Sequence, residues 1–441
     1  MTREKILERV KKEGVEFINL QFTDILGVVK AVTIPASKLE EAIDNNVWFD
    51  GSSIEGFTRI FESDMFLKLD LPTFAILPWQ KNTARIISDV YLPDGSPFPG
   101  DPRQALKKQL AIAKEMGFIY NVGPELEFFI FKKDDHGRIA PLPHDTAGYF
   151  DLSTDLAQEI RQEMTLTLKA LDIDVEALHH EVAVGQHEID FKYAEALTTA
   201  DRAVTFRYAL KAIAQKHGLH VTFMPKPIEG INGTGMHVHQ SFFDLKAEKN
   251  LFFDAGGRYH LSEIAEHFIA GQLYHARGFA AVTNPLVNSY KRLVPGYEAP
   301  VYVAWGQTNR SALIRIPRYT EGREKAVRCE LRCPDPSTNP YLAFAVMLAS
   351  GLDGIKNKKN PPEPIEENIF KFSDEDAKKK GVGNMPENLR YAIKALQEDE
   401  VVKSALGSHI CEQYLAAKKS EWDSYKTFVS KWEHDRYLEI Y

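Results

Sequence analysis

The spacing of apolar residues divides the chain into two parts with different secondary-structure patterns. The N-terminal part consists of short β-rich runs between turns. Its predicted elements are a helix over residues 3–13, strands over 15–22 and 28–34, a helix over 37–43, and strands over 65–69, 74–78 and 84–91. Residues 49–57 contain too much Gly and Ser for regular structure. This part is therefore predicted to be a small, sheet-dominated domain.

A Pro- and Gly-rich segment over residues 93–100 is predicted to link this domain to the rest of the chain. Strands and amphipathic helices then alternate to the C-terminus, beginning with a helix that Asp101 caps, Pro102 opens and Gly117 ends. The apolar run over 342–349 predicts a buried helix. Helical spacing also relates Leu156, Ile160, Met164, Leu168 and Leu171. The larger part is therefore predicted to be one α/β or α+β domain.

Composition and charge narrow the class of protein. The chain has 441 residues and a formal net charge of -8, and it has no basic stripe that would neutralise nucleic-acid phosphates. Three cysteines, an odd count in a large chain, indicate a reducing compartment. The N-terminus is charged, and no apolar run is long enough to span a bilayer. We therefore expect a cytoplasmic protein that binds neither nucleic acid directly nor a membrane.

Residues 179–188, His-His-Glu-Val-Ala-Val-Gly-Gln-His-Glu, place two carboxylates and three imidazoles on one short bend. If Val184 and Gly185 form a two-residue hairpin turn, Glu181 lies directly opposite Glu188. Like charges in that position are destabilising, so the two carboxylates either point into water or share a cation. We favour a cation, and a solvated surface hairpin is the alternative.

Two further strands carry polar residues at alternate positions. Glu125 and Glu127 share one face of a run whose other residues favour burial, and buried carboxylates require a compensating charge. After a glycine-rich turn, His237, His239 and Ser241 share one face of another strand. A surface edge strand and satisfied core histidines are the alternatives, and the number of such residues weakens both. The sequence thus predicts that these polar faces meet.

Arginines accompany these acids. Arg328, Glu330 and Arg332 alternate on a third predicted strand, and bidentate guanidinium groups are common partners of carboxylate and phosphate. Three more arginines precede this strand, namely Arg292, Arg310 and Arg315. Together these residues indicate an anionic substrate that carries phosphate.

The donor set also restricts the metal. Several glutamates with one histidine and no suitable cysteines suit Mg²⁺ or Mn²⁺ better than zinc. Enzymes that catalyse phosphoryl transfer use metal ions and arginines around the phosphate. The chain nevertheless lacks both the Gly-x-x-x-x-Gly-Lys-Ser/Thr loop and the Gly-x-Gly-x-x-Gly motif. A nucleotide must therefore bind without either of these cradles.

These motifs closely resemble those of type I bacterial glutamine synthetase, nearly end to end and in the same order. The matching segments are 50–53, 125–127, 179–188, 232–237, 288–300, 309–311 and 339–342. The resemblance implies an α+β fold with an N-terminal β-grasp domain over residues 12–98. It implies a larger α/β catalytic domain with a curved antiparallel sheet over residues 104–441.

The resemblance implies synthesis of glutamine from glutamate, ammonia and ATP through γ-glutamyl phosphate, with two or three Mg²⁺ or Mn²⁺ ions per active site. Implied metal ligands are Glu127, Glu181 and Glu188 on the glutamate side and Glu125, His237 and Glu330 on the ATP side. Implied glutamate contacts are Asn232, Gly233, Arg292 and Arg332. Arg310 is implied to stabilise the transferring phosphoryl group. The implied nucleotide and phosphate contacts are Glu176, His239, Ser241, Arg315 and Lys325.

The family also implies how ammonia reaches the acyl phosphate. Asp50, on a segment with Ser53 from a neighbouring subunit, is implied to bind ammonium and take its proton, because only neutral ammonia has a free lone pair. Asp64, Tyr149 and Glu298 are implied to help bind the cation. Glu298 also falls on a flap that closes over the intermediate and excludes water.

Assembly and regulation follow from the same resemblance. The implied assembly is a homododecamer of two stacked hexamers with active sites between adjacent subunits. Residues 381–386 lack the tyrosine that adenylylated relatives carry, which is typical of the short subclass of Gram-positive bacteria. That subclass is feedback-inhibited by glutamine, and Arg59 matches the arginine tied to this inhibition. An added role, binding a nitrogen-responsive repressor of the MerR type, is implied as well.

Two other functions stay open on the sequence. Relatives with the same core ligate larger amines to glutamate, as γ-glutamyl-polyamine synthetases do. A non-catalytic nitrogen sensor is the second alternative. The presence of Asp50, Asp64 and Glu298 favours ammonia, and the complete set of metal ligands with Arg310 favours catalysis.

Overall fold

The described residues of the protein contain two β-sheets, one in each part of the chain. The computed structural model describes residues 1–52, 54, 56, 64–246, 249–296, 299–367, 369, 372, 375 and 380–441. Within these described residues, those up to Tyr91 form a six-stranded sheet with its own hydrophobic core, and those after it form an eleven-stranded sheet covered by helices. The predicted fold class, a β-grasp domain followed by a larger catalytic domain with a curved sheet, is confirmed.

The helices and strands of the N-terminal part lie close to the predicted ranges. They are α1 (Arg3–Lys12), β1 (Phe17–Thr23), β2 (Val29–Pro35), a 3-10 turn (Ala36–Lys38), α2 (Leu39–Asn45), β3 (Val47–Asp50), β4 (Asp64–Leu69), a 3-10 turn (Leu71–Thr73), β5 (Ala75–Ile76) and β6 (Thr83–Tyr91). The strand order is β2-β1-β6-β4-β3, with β5 paired to β6.

The prediction that residues 49–57 lack regular structure is wrong at its start. Phe49 and Asp50 belong to β3, where they pair with Met65 and Asp64 of β4. The pairing partner is distant in sequence, so local composition did not reveal it. Residues 53, 55 and 57–63 lie outside the described residues.

The larger part begins with a strand-rich half. Its elements are α3 (Pro102–Glu115), β7 (Phe118–Lys133), β8 (Ile139–Pro143), α4 (Gln158–Ala170), β9 (Val175–His180), β10 (Gln186–Phe191), β11 (Ala194–Glu195), α5 (Ala196–Lys216), β12 (His220–Thr222) and β13 (Met236–Asp244). Asp101 accepts a hydrogen bond from the Arg103 backbone N–H, which confirms the predicted cap of α3. Leu156 precedes α4 and is 63% exposed, so its assignment to that helix is wrong.

The chain continues with a helix-rich half. Its elements are a 3-10 turn (Arg258–His260), α6 (Glu263–Thr283), α7 (Ser289–Arg292), β14 (Tyr302–Gly306), β15 (Ala312–Arg315), a 3-10 turn (Glu324–Ala326), β16 (Cys329–Leu331), α8 (Pro340–Lys356), β17 (Gly383–Asn384), α9 (Leu389–Glu398), α10 (Glu400–Leu406), α11 (Ser408–Tyr425) and α12 (Lys431–Tyr437). Residues 342–349 are all buried within α8, as predicted.

The large sheet is built around β7. Its order is β17-β14-β15-β16-β13-β7-β10-β9, and β8, β11 and β12 also pair with β7. Five strands therefore hydrogen-bond to different stretches of β7, and the sheet curls around it. The pairs that flank β7 are antiparallel, whereas β14 and β15 run parallel. Helices α6 and α8 pack against one another in the core that lies under this sheet.

The predicted linker over residues 93–100 is a turn packed against the N-terminal core. Phe98 is 2% exposed and joins that core. Directly after it, the buried Arg103 side chain donates to Asp70 and Asp89 of the N-terminal part at 2.6 and 2.7 Å, and to Asp201 of α5 at 2.9 Å. One guanidinium group thus joins the two parts.

Among the described residues, no helix has the length and hydrophobicity needed to cross a bilayer.

Candidate active site

Acidic and imidazole side chains meet on one face of the large sheet because the strand register brings them into line. Glu188 of β10 pairs with Glu127 of β7, and Asp190 pairs with Glu125. On the other side of β7, His237 of β13 pairs with Glu125. Alternation along each strand puts all five side chains on the same face, whereas Leu126 and Phe128 of β7 lie in the core. The prediction that these polar faces meet is confirmed.

The hairpin of residues 179–188 forms, but its predicted register is wrong. His180 pairs with His187 and Glu188 pairs with His179, so the connection spans residues 181–185. The predicted turn at Val184 and Gly185 does form, since the Gln186 N–H donates to the Ala183 carbonyl oxygen at 3.0 Å, but the Gln186 carbonyl oxygen accepts from the Glu181 N–H at 2.8 Å, which sets the other register. Gly185 also bonds to other segments. Its N–H donates to Asp145 at 3.2 Å, and its carbonyl accepts from the Ile130 N–H at 2.9 Å.

The register differs from the predicted one by two residues, which preserves the face of every side chain. Glu181 and Glu188 therefore remain on one face as diagonal neighbours. His179 lies between them, with its Nε2 2.9 Å from Glu181 Oε1 and 3.9 Å from Glu188 Oε1. The two carboxylates are thus neighbours, as predicted, although the direct cross-strand partner of Glu188 on β9 is His179.

The first group of acids is buried and mutually repulsive. Burial and then the charge of Glu181 raise the pKa of Glu127 to about 8. Burial and the neighbouring charges of Asp190 and Glu127 raise the pKa of Glu188 well above its ordinary value. Glu127 is held in place by Gln186, whose Nε2 donates to Glu127 Oε2 at 2.7 Å. Without a cation, the sheet thus holds acids that favour the neutral form.

The second group pairs acids with histidines. Glu125, His237 and Glu330 each present a ligand atom, and these atoms lie within 4.8 Å of one another. His237 Nδ1 is 3.3 Å from Glu125 Oε2, and His239 Nε2 is 2.6 Å from Glu125 Oε1. Burial alone raises the pKa of Glu125, but the hydrogen bonds from both histidines outweigh it and hold that pKa low.

Two of the predicted arginines donate hydrogen bonds to Glu330. Arg315 donates to Glu330 Oε2 at 2.7 Å, and Arg332 donates to Glu330 Oε1 at 3.3 Å. Arg328 Nε donates to His239 Nδ1 at 3.0 Å. These contacts fix three positive charges along the edge of the acidic face. An anion that approaches this edge meets prearranged guanidinium groups.

Arg292 reaches the same face from α7. Its guanidinium donates to the carbonyl oxygens of Cys333 and Arg332 at 2.8 and 3.2 Å, and its positive charge lowers the pKa of Glu127 against burial. Gly235 makes room for it, because a Cβ at that position would lie 2.6 Å from Arg292 Nη2 and 3.1 Å from His237 Nε2. The predicted contact Gly233 is equally constrained: a Cβ there would lie 2.2 Å from the Pro225 carbonyl oxygen.

A cavity of about 340 Å³ opens beside the second group of acids. Four of the five predicted nucleotide contacts line it, namely Glu176, His239, Ser241 and Lys325. Arg315 is not among its lining residues and instead holds Glu330. Phe191 and Tyr193 add aromatic walls, and Arg328 adds a cation. The cavity therefore combines aromatic surface for a planar ring with charge for phosphates.

Other predicted residues lie apart from these groups. Asp50 and Asp64 are exposed on the small sheet, and no hydrogen bond or ion pair among the described residues joins either one to the carboxylates above. Arg310 is exposed in the turn before β15, and Asn232 is half-buried in the turn before β13. Tyr149 is half exposed and its ring centroid lies 5.8 Å from that of His179. Ser53, Arg59 and Glu298 lie outside the described residues.

Several site residues were missed by the sequence analysis. Asp190 and Gln186 flank Glu188 at a spacing of two residues, so alternation along one strand would have found both. Gly235 lies in the recognised glycine-rich turn, but only the positions of Arg292 and its neighbours show why glycine is needed there. The aromatic walls of the cavity carry no local signal, because apolar residues in strands usually belong to a core.

Comparison with known proteins covers both parts of the chain. The model of the family described as glutamine synthetase, catalytic domain, matches residues 99–437, and that of glutamine synthetase, beta-Grasp domain, matches residues 14–93. A glutamine synthetase of Clostridium saccharobutylicum is 55% identical, covering 100% of this chain and 99% of the relative. Those of Methanosarcina mazei and Thermus thermophilus are each 54% identical, covering 100% of this chain and 98% and 99% of the relatives.

Solved structures agree with the fold. GmaS in complex with ADP superposes with a TM-score of 0.90 at 34% identity, covering 98% of this chain and 99% of that one. GmaS without ligand gives a TM-score of 0.88 at 34% identity, covering 99% of both chains.

Proposed function

The chain belongs to the glutamine synthetase family, and from this premise we propose how its own residues ligate ammonia to L-glutamate with ATP. In the proposal, the terminal phosphoryl group of ATP passes to the γ-carboxylate of glutamate and gives γ-glutamyl phosphate and ADP. Ammonia then attacks the acyl carbon, phosphate leaves, and glutamine remains. The observation that carries this proposal is the set of buried, cross-paired carboxylates, flanked by arginines, beside the cavity.

The family uses ATP and a divalent metal, and the buried acids of this chain fit such an ion. Uncompensated buried carboxylates are costly, and the raised pKa values of Glu127 and Glu188 express that cost. Oxygen-rich sets with one histidine suit Mg²⁺ or Mn²⁺. We assign one ion to Glu127, Glu181 and Glu188 and another to Glu125, His237 and Glu330, with two or three per active site. Bound metal supplies charge neutralisation for phosphate and acyl oxygens.

Glutamate binding is assigned to the turn before β13 and to two arginines. Arg292 is 4% exposed and Arg332 is 6% exposed, and both are fixed by hydrogen bonds before any substrate arrives. Fixed guanidinium groups bind a carboxylate without reorganisation. Asn232 and Gly233 extend this surface, since the Gly233 carbonyl already accepts from Gln186 at 3.1 Å beside Glu127.

ATP is assigned to the cavity. Glu176, His239, Ser241 and Lys325 line it, and Arg315, which donates to Glu330, is assigned to a neighbouring phosphate contact. Arg310, exposed before β15, is assigned to the transferring phosphoryl group. No covalent contribution from the protein is needed, because positioning and charge stabilisation suffice for phosphoryl transfer.

Ammonium is assigned to the exposed acids of the small sheet. Asp50 pairs with Asp64, and we assign Asp50 as the base that takes a proton from ammonium. Asp64, Ser53, Tyr149 and Glu298 complete this subsite in the proposal. Asp50 and Asp64 act on the carboxylate face of an adjacent subunit in this proposal, within a homododecamer of two stacked hexamers, since no hydrogen bond or ion pair among the described residues joins either acid to that face of its own subunit.

Regulation is assigned by subclass. Residues 381–386 contain no tyrosine, and this supports the non-adenylylated type of Gram-positive bacteria. We propose feedback inhibition by glutamine through Arg59 and an added role in binding a nitrogen-responsive repressor of the MerR type. We also propose that the enzyme is cytoplasmic. The three free cysteines are buried, and they support a reducing compartment.

The amine is the part of the reaction that distinguishes the alternatives. A γ-glutamyl-polyamine synthetase needs space for a long diamine, whereas two opposed exposed carboxylates suit a small cation. A non-catalytic sensor has no use for both complete groups of acids with their arginines.

Phosphate release from ATP tests the proposal. Purified protein with glutamate and Mg²⁺ is supplied with ammonium, methylamine, putrescine or no amine, and glutamine is measured in parallel. We expect phosphate release that requires ammonium and equals the glutamine formed. Release that follows putrescine assigns the protein to the larger-amine ligases, and none under any condition favours the sensor. Inhibition by added glutamine supports the feedback assignment.

A further inference from the structure

A buried polar network lies behind the hairpin that carries two of the proposed metal ligands. We call residues 175–191, comprising β9, the connection and β10, the metal hairpin. His180 and His187 pair across it and are 1% and 0% exposed. Each lies next to a proposed ligand, Glu181 or Glu188, so alternation directs both imidazoles to the opposite face. The roles assigned so far leave these two buried histidines unused.

One carboxylate outside the hairpin holds both ends of its connection. Asp145 Oδ1 accepts from His180 Nε2 at 2.9 Å and from the Gly185 N–H at 3.2 Å. His180 Nδ1 donates in turn to the Glu181 carbonyl oxygen at 2.7 Å. The Asp145 side chain is fully buried. Asp145 therefore ties the residue before the 181–185 connection to the last residue within it.

A second set of contacts fixes the other histidine. Arg161 of α4 donates to His187 Nδ1 at 2.8 Å. Its guanidinium is held by a bidentate pair with Asp155, one bond of which is 3.0 Å long. The side chains of Arg161 and Asp155 are almost completely buried. The strand that carries Glu188 is thus anchored to α4, and the connection is anchored to Asp145.

The network could in principle hold a metal itself, since ligand atoms of Asp145, His180 and His187 lie within 4.8 Å of one another. The hydrogen bonds argue against this. His187 Nδ1 accepts from Arg161, which leaves the ring proton on Nε2, and His180 donates from both ring nitrogens. The positive charge of the Arg161 guanidinium would also repel a metal ion at this position. The contacts instead hold the backbone.

We infer that Asp145 is a positioning residue for metal binding, which sets the spacing of Glu181 and Glu188 by clamping the connection between them. The inference rests on the proposed role of those two glutamates as ligands. Ligand groups must be held within about 0.5 Å of their productive geometry, and a connection of five residues does not achieve that alone. Residues that support ligands from behind typically change metal affinity by about 10–100-fold.

The test compares stepwise Mn²⁺ binding to the metal-free protein by electron paramagnetic resonance. The Mn²⁺ binding step that Glu188→Gln weakens is the step of the metal hairpin. The step that Glu330→Gln weakens is the step of the group formed by Glu125, His237 and Glu330. Asp145→Asn keeps the size of the side chain but removes its charge. We expect it to weaken the hairpin step about tenfold and to leave the other step within about twofold of the wild type.

Asp353→Asn is the matched control. Asp353 Oδ2 lies 3.1 Å from His275 Nε2 in another carboxylate–imidazole pair, which is partly buried and lies among the helices. We expect this variant to lower the thermal midpoint as Asp145→Asn does, without moving either Mn²⁺ step. Equal weakening of both steps by Asp145→Asn, or no weakening, overturns the inference. So does stoichiometric zinc in the wild type that Asp145→Asn removes.

A second variant protects the test against misfolding. Asp155→Asn loosens Arg161 from one side of the network, and we expect a smaller weakening of the same hairpin step. Glutamine formation by the wild type is measured in parallel. If the wild type makes no glutamine but Asp145→Asn still weakens the hairpin step, the proposed function fails and the inference stands. If the wild type is active and the step is unchanged, the inference fails alone.

Discussion

Asp50 and Asp64 stand directly opposite each other, in register across β3 and β4 and exposed to solvent. Two carboxylates in a cross-strand pair repel one another, and a small cation between them relieves that repulsion. Glu188 and Glu127 form the same kind of cross-strand carboxylate pair on the large sheet. In the proposed function, the exposed pair serves a monovalent cation and the buried face serves a divalent cation.

The first prediction concerns the base. Asp50→Asn removes the proton acceptor and one of the two charges, so kcat/KM for ammonium should fall about 100-fold, with KM for ATP unchanged. Initial rates at varied ammonium measure this. Asp94→Asn is the control, because Asp94 is also exposed in the N-terminal part but lies in the 92–96 turn. An equal loss in both variants would contradict the assignment.

The proposed contribution of Asp50 to the active site of a neighbouring subunit has its own consequence. Assemblies of Asp50→Asn subunits alone or of Glu330→Gln subunits alone should retain little activity, whereas co-assembled subunits should recover about a quarter of wild-type activity in an equal mixture, because a head-to-tail interface then pairs two intact halves. Co-expression with two different affinity tags provides the mixed assembly. Absence of recovery would place both residues in one subunit's site.

The second prediction concerns the buried acids. Glu188→Gln replaces a carboxylate that its neighbours repel, so the metal-free variant should be more stable than the metal-free wild type. At about a hundred times its dissociation constant, Mn²⁺ should stabilise the wild type by about 2.7 kcal/mol per site, and the variant should lose one such increment. Thermal unfolding with and without Mn²⁺ measures both effects.

Glu363→Gln provides the comparison, since Glu363 is exposed and pairs with Arg258 at the surface. Its unfolding should match the wild type under both conditions. A Glu188→Gln variant that is destabilised without metal and keeps its full response to Mn²⁺ would show that Glu188 has a purely structural role.

The third prediction concerns the glycine beside Arg292. Gly235→Ala places a methyl group 2.6 Å from Arg292 Nη2 and 3.1 Å from His237 Nε2, so it should raise KM for glutamate about tenfold by displacing the guanidinium. Gly256→Ala is the control, because its nearest contact would be 3.8 Å away. Steady-state kinetics at varied glutamate distinguish the two, and an unchanged KM would remove Arg292 from the glutamate site.

The fourth prediction concerns pH and stability. His275 is buried, which by itself lowers its pKa, but hydrogen bonds to Asp399 and Asp353 at 2.8 and 3.1 Å outweigh burial and raise it. A raised pKa in the folded state means that this stabilisation is complete below the unfolded value of 6.5 and is lost as pH rises through the higher folded value. Lys359, 3.8 Å from Asp353, opposes the charge of the imidazolium.

His275→Gln should therefore cost about 2 kcal/mol near pH 6 and progressively less at alkaline pH. Thermal midpoints of metal-free protein between pH 6 and pH 9 measure this, with the exposed His136→Gln as the control. A His275→Gln deficit that grows with pH would mean that the imidazole is neutral in the folded protein.

The sequence correctly predicted which side chains share a face of a strand, but it did not predict the register that joins the strands. Alternation along strands is a local property, so the shared faces of Glu125 with Glu127 and of His237 with His239 were correct. The register of the metal hairpin is set by the hydrogen bond from the Glu181 N–H to the Gln186 carbonyl oxygen, which the turn at Val184 and Gly185 does not determine, so the turn alone gave a register two residues away. The strand at Phe49 was missed because its partner Met65 lies beyond a glycine-rich stretch.

Packing accounts for the remaining differences. Nothing in the turn-rich segment before α3 indicates that Phe98 is buried in the N-terminal core or that Arg103 binds three aspartates from both parts of the chain. These contacts depend on the relative position of two domains, which periodicity does not encode. The need for glycine at position 235 likewise follows only from the neighbouring side chains.

The acyl phosphate is the central claim, and the fate of one oxygen atom tests it most directly. Glutamate labelled with oxygen-18 in its γ-carboxylate is incubated with ATP, ammonium, Mg²⁺ and the purified protein, and the released phosphate is examined by mass spectrometry. Phosphoryl transfer to the γ-carboxylate predicts that each phosphate carries a single oxygen-18 atom that came from glutamate. Unlabelled phosphate, formed while glutamine accumulates, would contradict the account.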